Sequence, residues 1–403
     1  MKALDVTKLL PVAGVRLGTS CAGFKQAGRR DLVVVELSPA TETAAVFTKN
    51  AFCAAPVHIA RQHMANTRPR YLLINTGNAN AGTGAQGEQD ALQCCRLLAE
   101  VTKTNVNEVL PFSTGVIGEP LQLEKFRAAV PDAVSRLDDM GWEDAAHGIL
   151  TTDLVPKGYT KQIELQGRNI TVTGIAKGSG MIRPNMATML AYVATDAGLA
   201  QPLLQQCLQH AVDHSFNRIT VDGDTSTNDA CLLMATGQSG VRLEDEGSED
   251  YQQFAHAVTE VCATLARAIV RDGEGATKFI TIEVSQGCDE EECLQVAYTI
   301  AHSPLVKTAF FASDPNWGRI LAAVGRAGLP DLDIDAIKIY LNDVCIVSQG
   351  GRDRAYTEQQ GQAVMDQTDI SIHVVLDRGK ASAQVWTCDF SYDYVKINAD
   401  YRT

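Results

Sequence analysis

Three stretches of the chain repeat apolar residues at the spacing of an amphipathic helix. The clearest covers residues 86–101. Its apolar stripe consists of Ala91, Leu92, Cys95 and Leu98. Residues three, four and seven positions apart share one face of a helix, so this stripe predicts a helix packed against a core. The same spacing predicts helices over 202–212 and 250–269.

Strands are predicted where short runs of β-branched and aliphatic residues stand between turn residues. These runs cover 32–37, 71–75, 170–175 and 279–284. Near the C-terminus, Ile370, Ile372, Val374 and Leu376 alternate with other residues, which is typical of a strand with one buried face. Helices and strands alternate without a low-complexity linker or a repeat of fixed period. The pattern therefore predicts an α/β (α+β) chain of layered sheets and helices.

One segment concentrates turn-forming residues directly before an apolar run. It is KGSGMIRPNMATML, residues 177–190. Its glycines allow unusual backbone angles, Pro184 stops a helix and Asn185 tolerates a left-handed turn. The following run TMLAYVAT predicts a buried strand whose first residue is Thr188. By composition alone, the segment is typical of an ordinary loop that leads into a strand.

Composition and charge exclude several classes of protein. A chain of 403 residues with 45% hydrophobic residues is long enough for two or three domain cores. The formal net charge of −13 disfavours nucleic acid and anionic membranes as partners. No apolar run approaches a membrane span, and the first residues are too broken by charge and proline for a signal peptide. We therefore expect a cytoplasmic protein.

The cysteines and histidines do not form a recognisable metal site. Eleven cysteines are scattered among apolar residues, which is typical of reduced, buried thiols. Cys288 and Cys293 form a single C-x4-C pair without a second pair, so no zinc site is predicted. The eight histidines are dispersed, and His302 is interpreted as structural. We expect no metal.

Two polar, glycine-containing loops also fail the patterns of ligand sites. VDGDTSTND (221–229) lacks the glycine and the closing glutamate of a calcium loop, so Asp222 and Asp224 are expected to bond the backbone. GNANAGTGAQG (77–87) lacks the lysine of a phosphate-binding loop and is expected to turn into a helix at Gln86. Both loops are therefore predicted to be structural.

Thr188 gains a chemical role if the bond between Ala187 and Thr188 is cut. The new α-amine would lie on the same residue as the hydroxyl, and its usual pKa of about 7.7–8.0 suits a general base. An N-terminal threonine thus supplies nucleophile and base together. The hydroxyl could also make the cut itself, by attacking the preceding carbonyl within a strained turn.

Several long strings together resemble one known family. They are VFTKNAFCAAPV (46–57), KGSGMIRPNMATML (177–190), VDGDTSTND (221–229), GEGATKFIT (273–281), SPLVKTAFFASDPNWGRI (303–320) and NADYRT (398–403). The chain is similar to the ornithine acetyltransferase family, also called the glutamate N-acetyltransferase family, of arginine biosynthesis. The resemblance extends from about Val46 to the last residue. His302 and Ala312 depart from the family pattern. Neither residue lies in the string around Thr188 or in the string PFSTGVIG around Thr114.

The resemblance implies a self-cleaving enzyme with an N-terminal threonine nucleophile. Cleavage between Ala187 and Thr188 would give an alpha chain, 1–187, and a beta chain, 188–403. The acetyl group of N2-acetyl-L-ornithine would pass to Thr188 and then to L-glutamate in a ping-pong reaction. Some members of the family also accept acetyl-CoA, and no cofactor is required. The expected assembly contains two alpha and two beta chains.

The resemblance also implies the roles of individual residues. Thr114 and Gly115 would form the oxyanion hole, although PFSTGVIG by itself reads as a turn at the end of a strand. Implied substrate contacts are Thr152, Lys177, Thr188, Glu274, Asn398 and Thr403. Thr151 remains an alternative to Thr152, because the two hydroxyls are adjacent.

The residues by themselves also allow two other functions. An amidohydrolase or aminopeptidase could use the same nucleophile and let water resolve the acyl-enzyme. A non-catalytic binding protein could use the glycine-rich loops only as turns. The charged residues Lys177 and Glu274 suit amino-acid substrates, which favours acetyl transfer.

Overall fold

The computed structural model describes residues 4–24, 27–183 and 189–400. The chain divides into two units. The larger unit comprises Lys2–Asn217 and Asp224–Ile269. The smaller unit comprises Arg218–Gly223 and Val270–Thr403.

The described part of the larger unit contains strands and helices in alternation. Its strands are β1 Val15–Ser20, β2 Leu32–Leu37, β3 Glu42–Phe47, β4 Tyr71–Asn78, β5 Val109–Val116, β6 Lys157–Leu165, β7 Arg168–Lys177, β8 Leu190–Thr195, β9 Gly198–Leu199, β10 Ala230–Ala235 and β11 Arg242–Leu243. Its α-helices are α1 Ala55–Asn66, α2 Gly84–Thr102, α3 Leu123–Ser135, α4 Trp142–Gly148, α5 Gln201–Asp213 and α6 Glu249–Arg271. Short 3-10 turns cover Val6–Lys8, Val106–Glu108 and Phe216–Arg218.

Two mixed sheets organise the larger unit. The first has the order β1-β2-β4-β5, and the second has the order β3-β10-β8-β7-β6. In the first sheet only β4 and β5 are parallel, and in the second only β8 and β10 are parallel. A separate pair joins β9 and β11. Each sheet therefore contains one parallel pair among antiparallel neighbours.

The two sheets pack face to face through one apolar core. Inward residues of the first sheet, including Val33, Ile74 and Phe112, pack with Tyr192 and Leu232 of the second sheet. The alternate residues of the first sheet face helices α2 and α3, whose buried side chains belong to a second core cluster. Helix α5 packs on β3, and α6 packs on β7 at Gly174. The larger unit thus has four layers, with helices outside both sheets.

The smaller unit contains one six-stranded sheet. Its strands are β12 Phe279–Gly287, β13 Lys338–Leu341, β14 Val344–Ser348, β15 Gly351–Arg352, β16 Asp369–Val375 and β17 Ala381–Cys388. Its helices are α7 Glu290–Ala301, α8 Pro304–Phe311, α9 Trp317–Gly325, α10 Glu358–Met365 and α11 Tyr392–Ala399. The strand order is β15-β14-β13-β16-β12-β17, and only β12 and β16 are parallel. Its apolar core joins the sheet to α7, α8, α9 and α10.

The observed elements confirm the predicted α/β class and most of the predicted elements. The helices predicted over 86–101, 202–212 and 250–269 are α2, α5 and α6, each slightly longer than predicted. The alternation from Ile370 is β16, whose buried residues point to one face. One detail of α2 was wrong, because Leu92 is only half-buried while Cys94 is buried. In the described part of the chain, no helix has both the length and the apolar character that a membrane crossing requires.

The core between the two sheets gives a direct stability prediction. Phe112 is 1% exposed, and its ring centroid lies 5.5 Å from that of Tyr192. Phe112→Ala should lower the free energy of unfolding by about 3–5 kcal/mol, because it leaves a cavity. Urea denaturation followed by circular dichroism measures this loss. The control Phe52→Ala removes a ring that is 79% exposed, and should change stability by less than about 0.5 kcal/mol. Equal losses in both variants would contradict the packing.

Candidate active site

Thr114 and Gly115 lie at the end of β5, where its pairing with β4 becomes irregular. Asn78 of β4 faces both Thr114 and Val116, and Gly115 faces Gly77. Gly115 has a φ of +135° and Gly77 has a φ of +99°. These are backbone angles that favour glycine over residues with a side chain. The two parallel strands therefore end in a bulge formed by two glycines.

The bulge has no room for a side chain at position 115. A Cβ atom there would lie 2.3 Å from the carbonyl carbon of Gly77 and 2.6 Å from the nitrogen of Asn78. The backbone of Gly115 therefore packs directly against the backbone of Gly77 and Asn78. Thr114, next to it, is buried. Thr114 and Gly115 thus lie on a tightly packed strand end, which suits preorganised backbone donors.

A cluster of buried amides holds this strand end, and none of its residues was among the predicted site residues. Asn75 Nδ2 donates to the carbonyl of Asn78 at 2.9 Å, and Ser113 Oγ donates to Asn75 Oδ1 at 2.6 Å. Asn78 Oδ1 accepts from the backbone nitrogen of Asn80 at 2.7 Å. The sequence carries one signal of this cluster, because polar residues occur inside an otherwise apolar run, LLINTGNAN. Buried amides are retained where each finds partners, as here.

Asn228 joins the two sheets at this edge of the larger unit. Its Nδ2 donates to the carbonyl of Ala79 at 2.6 Å and to that of Ser113 at 2.8 Å. Two residues later, Ala230 begins β10 and pairs with Leu190 of β8. Leu190 in turn pairs with Lys177 at the end of β7. The ends of β5 and β7 therefore lie at the same edge, together with the start of β8.

Lys177, an implied substrate contact, is buried in this edge. It is the last residue of β7, and its Nζ lies 3.5 Å from Thr151 Oγ1. The carboxylate of Asp153 lies beside both. Asp153 Oδ1 accepts from Lys157 Nζ at 2.6 Å and from the Gly178 backbone nitrogen at 2.8 Å. Asp153 Oδ2 accepts from the Thr151 backbone nitrogen at 3.0 Å.

Asp153 is held in its ionised form by these neighbours. Burial by itself would raise the pKa of its carboxyl group. The charges of Lys157 and Lys177, with hydrogen bonds from Lys157 and the Thr151 N–H, outweigh burial and hold the pKa well below its usual value. Because it also accepts the Gly178 N–H, Asp153 ties the threonine pair to the start of the segment 178–188.

The next candidates are the two threonines of the string TTD, residues 151–153. Thr151 and Thr152 are both half-buried. Thr151 directs its hydroxyl towards Lys177 and Asp153, with a distance of 3.5 Å to each partner atom. These contacts support Thr151 as the alternative to Thr152 as a substrate ligand.

Glu274 and Asn398 come together in the smaller unit, although 124 positions separate them. Asn398 on α11 donates from Nδ2 to Glu274 Oε2 at 2.8 Å, and to the carbonyl of Tyr394 at 3.0 Å. Glu274 is buried, and it lies in the loop between α6 and β12. A carboxylate and an amide in contact can bind the polar end of a substrate side chain. The structure thus brings together two residues that the family resemblance implies as substrate contacts.

Three predicted residues, Ala187, Thr188 and Thr403, lie outside the described residues. The description resumes at Met189, and β8 begins at Leu190 with every residue buried. The predicted strand after the turn segment is therefore confirmed from Leu190 onward. The nucleophile and the cleavage position stay predictions.

His302, which was interpreted as structural, has partners of that kind. His302 ends α7 and bonds Thr220 Oγ1 through Nε2 at 3.1 Å, with its ring stacked on Tyr298. All eleven cysteines are free, and most are buried. Burial raises the pKa of the Cys207 thiol to about 12, which keeps it protonated. Among the described residues, no group of three or more His, Cys, Asp or Glu side chains could hold a metal ion.

Comparison with known proteins gives one consistent result. The model of the ArgJ family matches residues 16–403. The arginine biosynthesis bifunctional protein ArgJ of Methylococcus capsulatus is 58% identical over 400 residues, which are 99% of this chain and 98% of that protein. The protein of the same name from Pseudomonas fluorescens is 55% identical over 396 residues, 98% of each chain. The crystal structure of arginine biosynthesis bifunctional protein ArgJ from Bacillus halodurans is 39% identical, with a TM-score of 0.49, and covers 52% of this chain and 97% of its own.

The buried ion pair between Asp153 and Lys157 gives a prediction on stability and on its dependence on pH. The folded pKa lies below the unfolded value of about 3.9, so the stabilisation is present above that pH and is lost as the pH falls below about 4. Asp153→Asn should lose about 3–5 kcal/mol at neutral pH, because it leaves Lys157 buried without its charged partner atom. Its stability should also depend less on pH in the acid range. Urea denaturation at a series of pH values measures both effects.

A matched control is Asp132→Asn, whose carboxylate pairs with Arg136 on the surface. An exposed pair of this kind contributes at most about 1 kcal/mol. A wild-type protein with the same acid sensitivity as Asp153→Asn would contradict the assignment.

Proposed function

The chain belongs to the ArgJ family and is an acetyltransferase of arginine biosynthesis, and we propose that it moves acetyl from N2-acetyl-L-ornithine to L-glutamate after cutting itself before Thr188. The observation that carries this proposal is the family match over residues 16–403, which includes the whole segment KGSGMIRPNMATML. The described geometry supports it through the glycine bulge at Gly115 and the buried Lys177 at one edge of the larger unit.

Self-cleavage would begin at the hydroxyl of Thr188. The oxygen attacks the carbonyl carbon of Ala187, and the peptide nitrogen takes up a proton and becomes the amine of Thr188. The resulting ester is hydrolysed by water, which leaves a carboxylate on Ala187 and restores the hydroxyl. The products are an alpha chain of residues 1–187 and a beta chain of residues 188–403. The new amine can then act as general base for its own hydroxyl.

Acetyl transfer would follow in two half-reactions. The amine of Thr188 takes the hydroxyl proton while the oxygen attacks the acetyl carbonyl of N2-acetyl-L-ornithine. The C–N bond breaks, ornithine leaves with the proton on its nitrogen, and acetyl-threonine remains. The amine of glutamate then attacks this ester, the C–O bond to Thr188 breaks, and a proton from the glutamate amine restores the Thr188 hydroxyl as N-acetyl-L-glutamate leaves. Thr114 and Gly115 would stabilise the oxyanion in both steps, since the same charge develops in each.

Substrate recognition would depend on charge complementarity. Lys177 suits a substrate carboxylate, with Thr151 or Thr152 beside it. The carboxylate of Glu274 suits the side-chain ammonium of ornithine, with Asn398 in contact with it at 2.8 Å. Thr403 is proposed as a further contact on the basis of the family resemblance. Transfer between amino acids of opposite side-chain charge requires such polar groups rather than an apolar pocket.

Other parts of the proposal rest on the family and on composition. The relatives are named bifunctional, and we propose acetyl-CoA as a second acetyl donor, used as a substrate. The chemistry needs no cofactor, because Thr188 supplies nucleophile and base. The free state of all eleven cysteines supports a reducing, cytoplasmic location. The proposed assembly is two alpha and two beta chains.

A transfer assay tests the function and separates it from hydrolysis. The protein is incubated with N2-acetyl-L-ornithine in the presence and absence of L-glutamate, and ornithine and N-acetylglutamate are measured. We expect steady turnover only with glutamate. Turnover at the same rate with and without glutamate would establish the hydrolase alternative. Thr188→Ala should abolish transfer and leave one uncut chain on a denaturing gel, whereas Thr188→Ser, which keeps a hydroxyl, should retain some cleavage. A cut Thr188→Ala protein would refute the nucleophile assignment.

The glycine bulge gives a second prediction on activity. Gly115→Ala would force Cβ into the backbone of Gly77 and displace the proposed oxyanion donors. We expect kcat to fall by about 10²–10³-fold. Gly118→Ala is the matched control, because Gly118 also has a positive φ of +85° but has no atom within 4 Å of the added Cβ. Unchanged kcat in Gly115→Ala would contradict the role of the bulge.

A further inference from the structure

The short segment between β17 and α11 is bound to the loop that carries Glu274. Asp389 follows directly after β17 and is 1% exposed. Its Oδ1 accepts from the backbone nitrogens of Thr277 at 2.8 Å and Lys278 at 2.9 Å. Its Oδ2 accepts from Thr277 Oγ1 at 2.5 Å. One carboxylate therefore binds three donors in the loop between α6 and β12.

Glu274 and Asn398 lie on opposite sides of this connection. Glu274 comes three residues before Thr277 on the loop, and Asn398 comes nine residues after Asp389 on α11. The loop and the helix touch at backbone level, because a Cβ on Gly275 would lie 2.6 Å from the nitrogen of Tyr394. Contact this close means that a shift of the segment 389–391 moves the loop and the helix relative to each other.

A buried lysine fixes the position of Asp389 from the other side. Lys307 on α8 is 1% exposed, and its Nζ donates to Thr387 Oγ1 at 2.9 Å and to the carbonyl of Cys388. Its own carbonyl accepts from the Phe390 nitrogen at 3.3 Å, and its Nζ lies 4.5 Å from the centre of the Phe390 ring. Burial lowers the pKa of Lys307, although Cys388, Asp389 and Asp222 oppose this. The residues on both sides of Asp389 are thus held by Lys307.

We propose that Asp389 is a positioning residue that places the Glu274 carboxylate against Asn398, and thereby sets the preference for a donor with a side-chain ammonium. This inference rests on the proposed function, in which Glu274 binds that ammonium. Asp389 does not touch the substrate itself. It acts through the Thr277 and Lys278 N–H groups, three and four positions after Glu274. A small displacement of a charged group costs much of its recognition energy, because ion pairing depends on distance and angle.

The test compares two donors that differ only in the ammonium group. The kcat/KM for N2-acetyl-L-ornithine is divided by that for N2-acetyl-L-norvaline, which has the same side chain without the nitrogen. In Asp389→Ala this ratio should fall roughly tenfold, which corresponds to about 1.4 kcal/mol of lost discrimination. Asp389→Asn should retain most of the preference, because its amide oxygen can still accept from both N–H groups and its nitrogen can donate to Thr277 Oγ1.

Two further variants separate positioning from general stability. Thr277→Val removes only the hydroxyl contact to Asp389, so it should lower the ratio in the same direction by a smaller factor, even if Asp389→Ala does not fold. Asp353→Ala is the matched control in the same unit. That carboxylate accepts from the Ala355 nitrogen at 2.8 Å and from Ser348 Oγ at 2.6 Å, beside β14 and β15. The donor ratio of Asp353→Ala should equal that of the wild type.

Binding of ornithine and of norvaline, measured by calorimetry, gives a readout that needs no turnover. Wild-type protein should prefer ornithine, and the preference should shrink in Asp389→Ala and in Thr277→Val. An unchanged preference in both variants, an equal loss in Asp353→Ala, or a wild type without preference would overturn the inference. Absence of acetyl transfer by the wild type would refute the proposed function instead, and the binding preference would still decide the role of Asp389.

Discussion

The face-to-face packing of two sheets is the constraint on which the candidate site of the larger unit depends. The core around Phe112 and Tyr192 fixes the two sheets at one separation. Asn228 then joins the end of β5 to the start of β10, so that strand ends from both sheets meet at one edge. Apolar burial supplies most of the energy, and one buried amide supplies the register. Without that register, Gly115 and Lys177 would have no fixed relation.

Two buried carboxylates have similar structural roles, one in each unit. Asp153 accepts backbone N–H groups of Thr151 and Gly178, and Asp389 accepts those of Thr277 and Lys278. In each case a carboxylate holds an irregular segment next to a residue proposed to bind substrate. A carboxylate is suited to this, because its two oxygens can accept several hydrogen bonds at once. The backbone at Thr151, Gly178, Thr277 and Lys278 is thereby fixed by side-chain hydrogen bonds.

These contacts also explain which residues sequence reasoning could not find. Thr114 and Gly115 stand in a string that marks a turn at a strand end, and Lys177 and Glu274 stand in strings that carry a family resemblance. Asn228 stands within such a string, yet nothing in its local pattern shows that it binds carbonyl groups 115 and 149 positions away. Asp153 directly follows Thr152, and although its partners lie within 25 positions, no motif marks them. Asp389 follows an ordinary strand and has no motif of its own. Hydrogen bonds between residues more than 100 positions apart leave no periodic signal in the chain.

The sequence by itself determined the class of fold, the place of several helices and strands and the chemistry available to Thr188, because periodicity and residue type are local properties. Helix α6 and strand β16 follow directly from the spacing of their apolar residues. Only the tertiary structure decided that Lys177 is buried beside Asp153, that Gly115 meets the backbone of Gly77, and that Glu274 touches Asn398. Those relations depend on how sheets and loops pack in three dimensions, and packing joins residues that the order of the chain keeps apart.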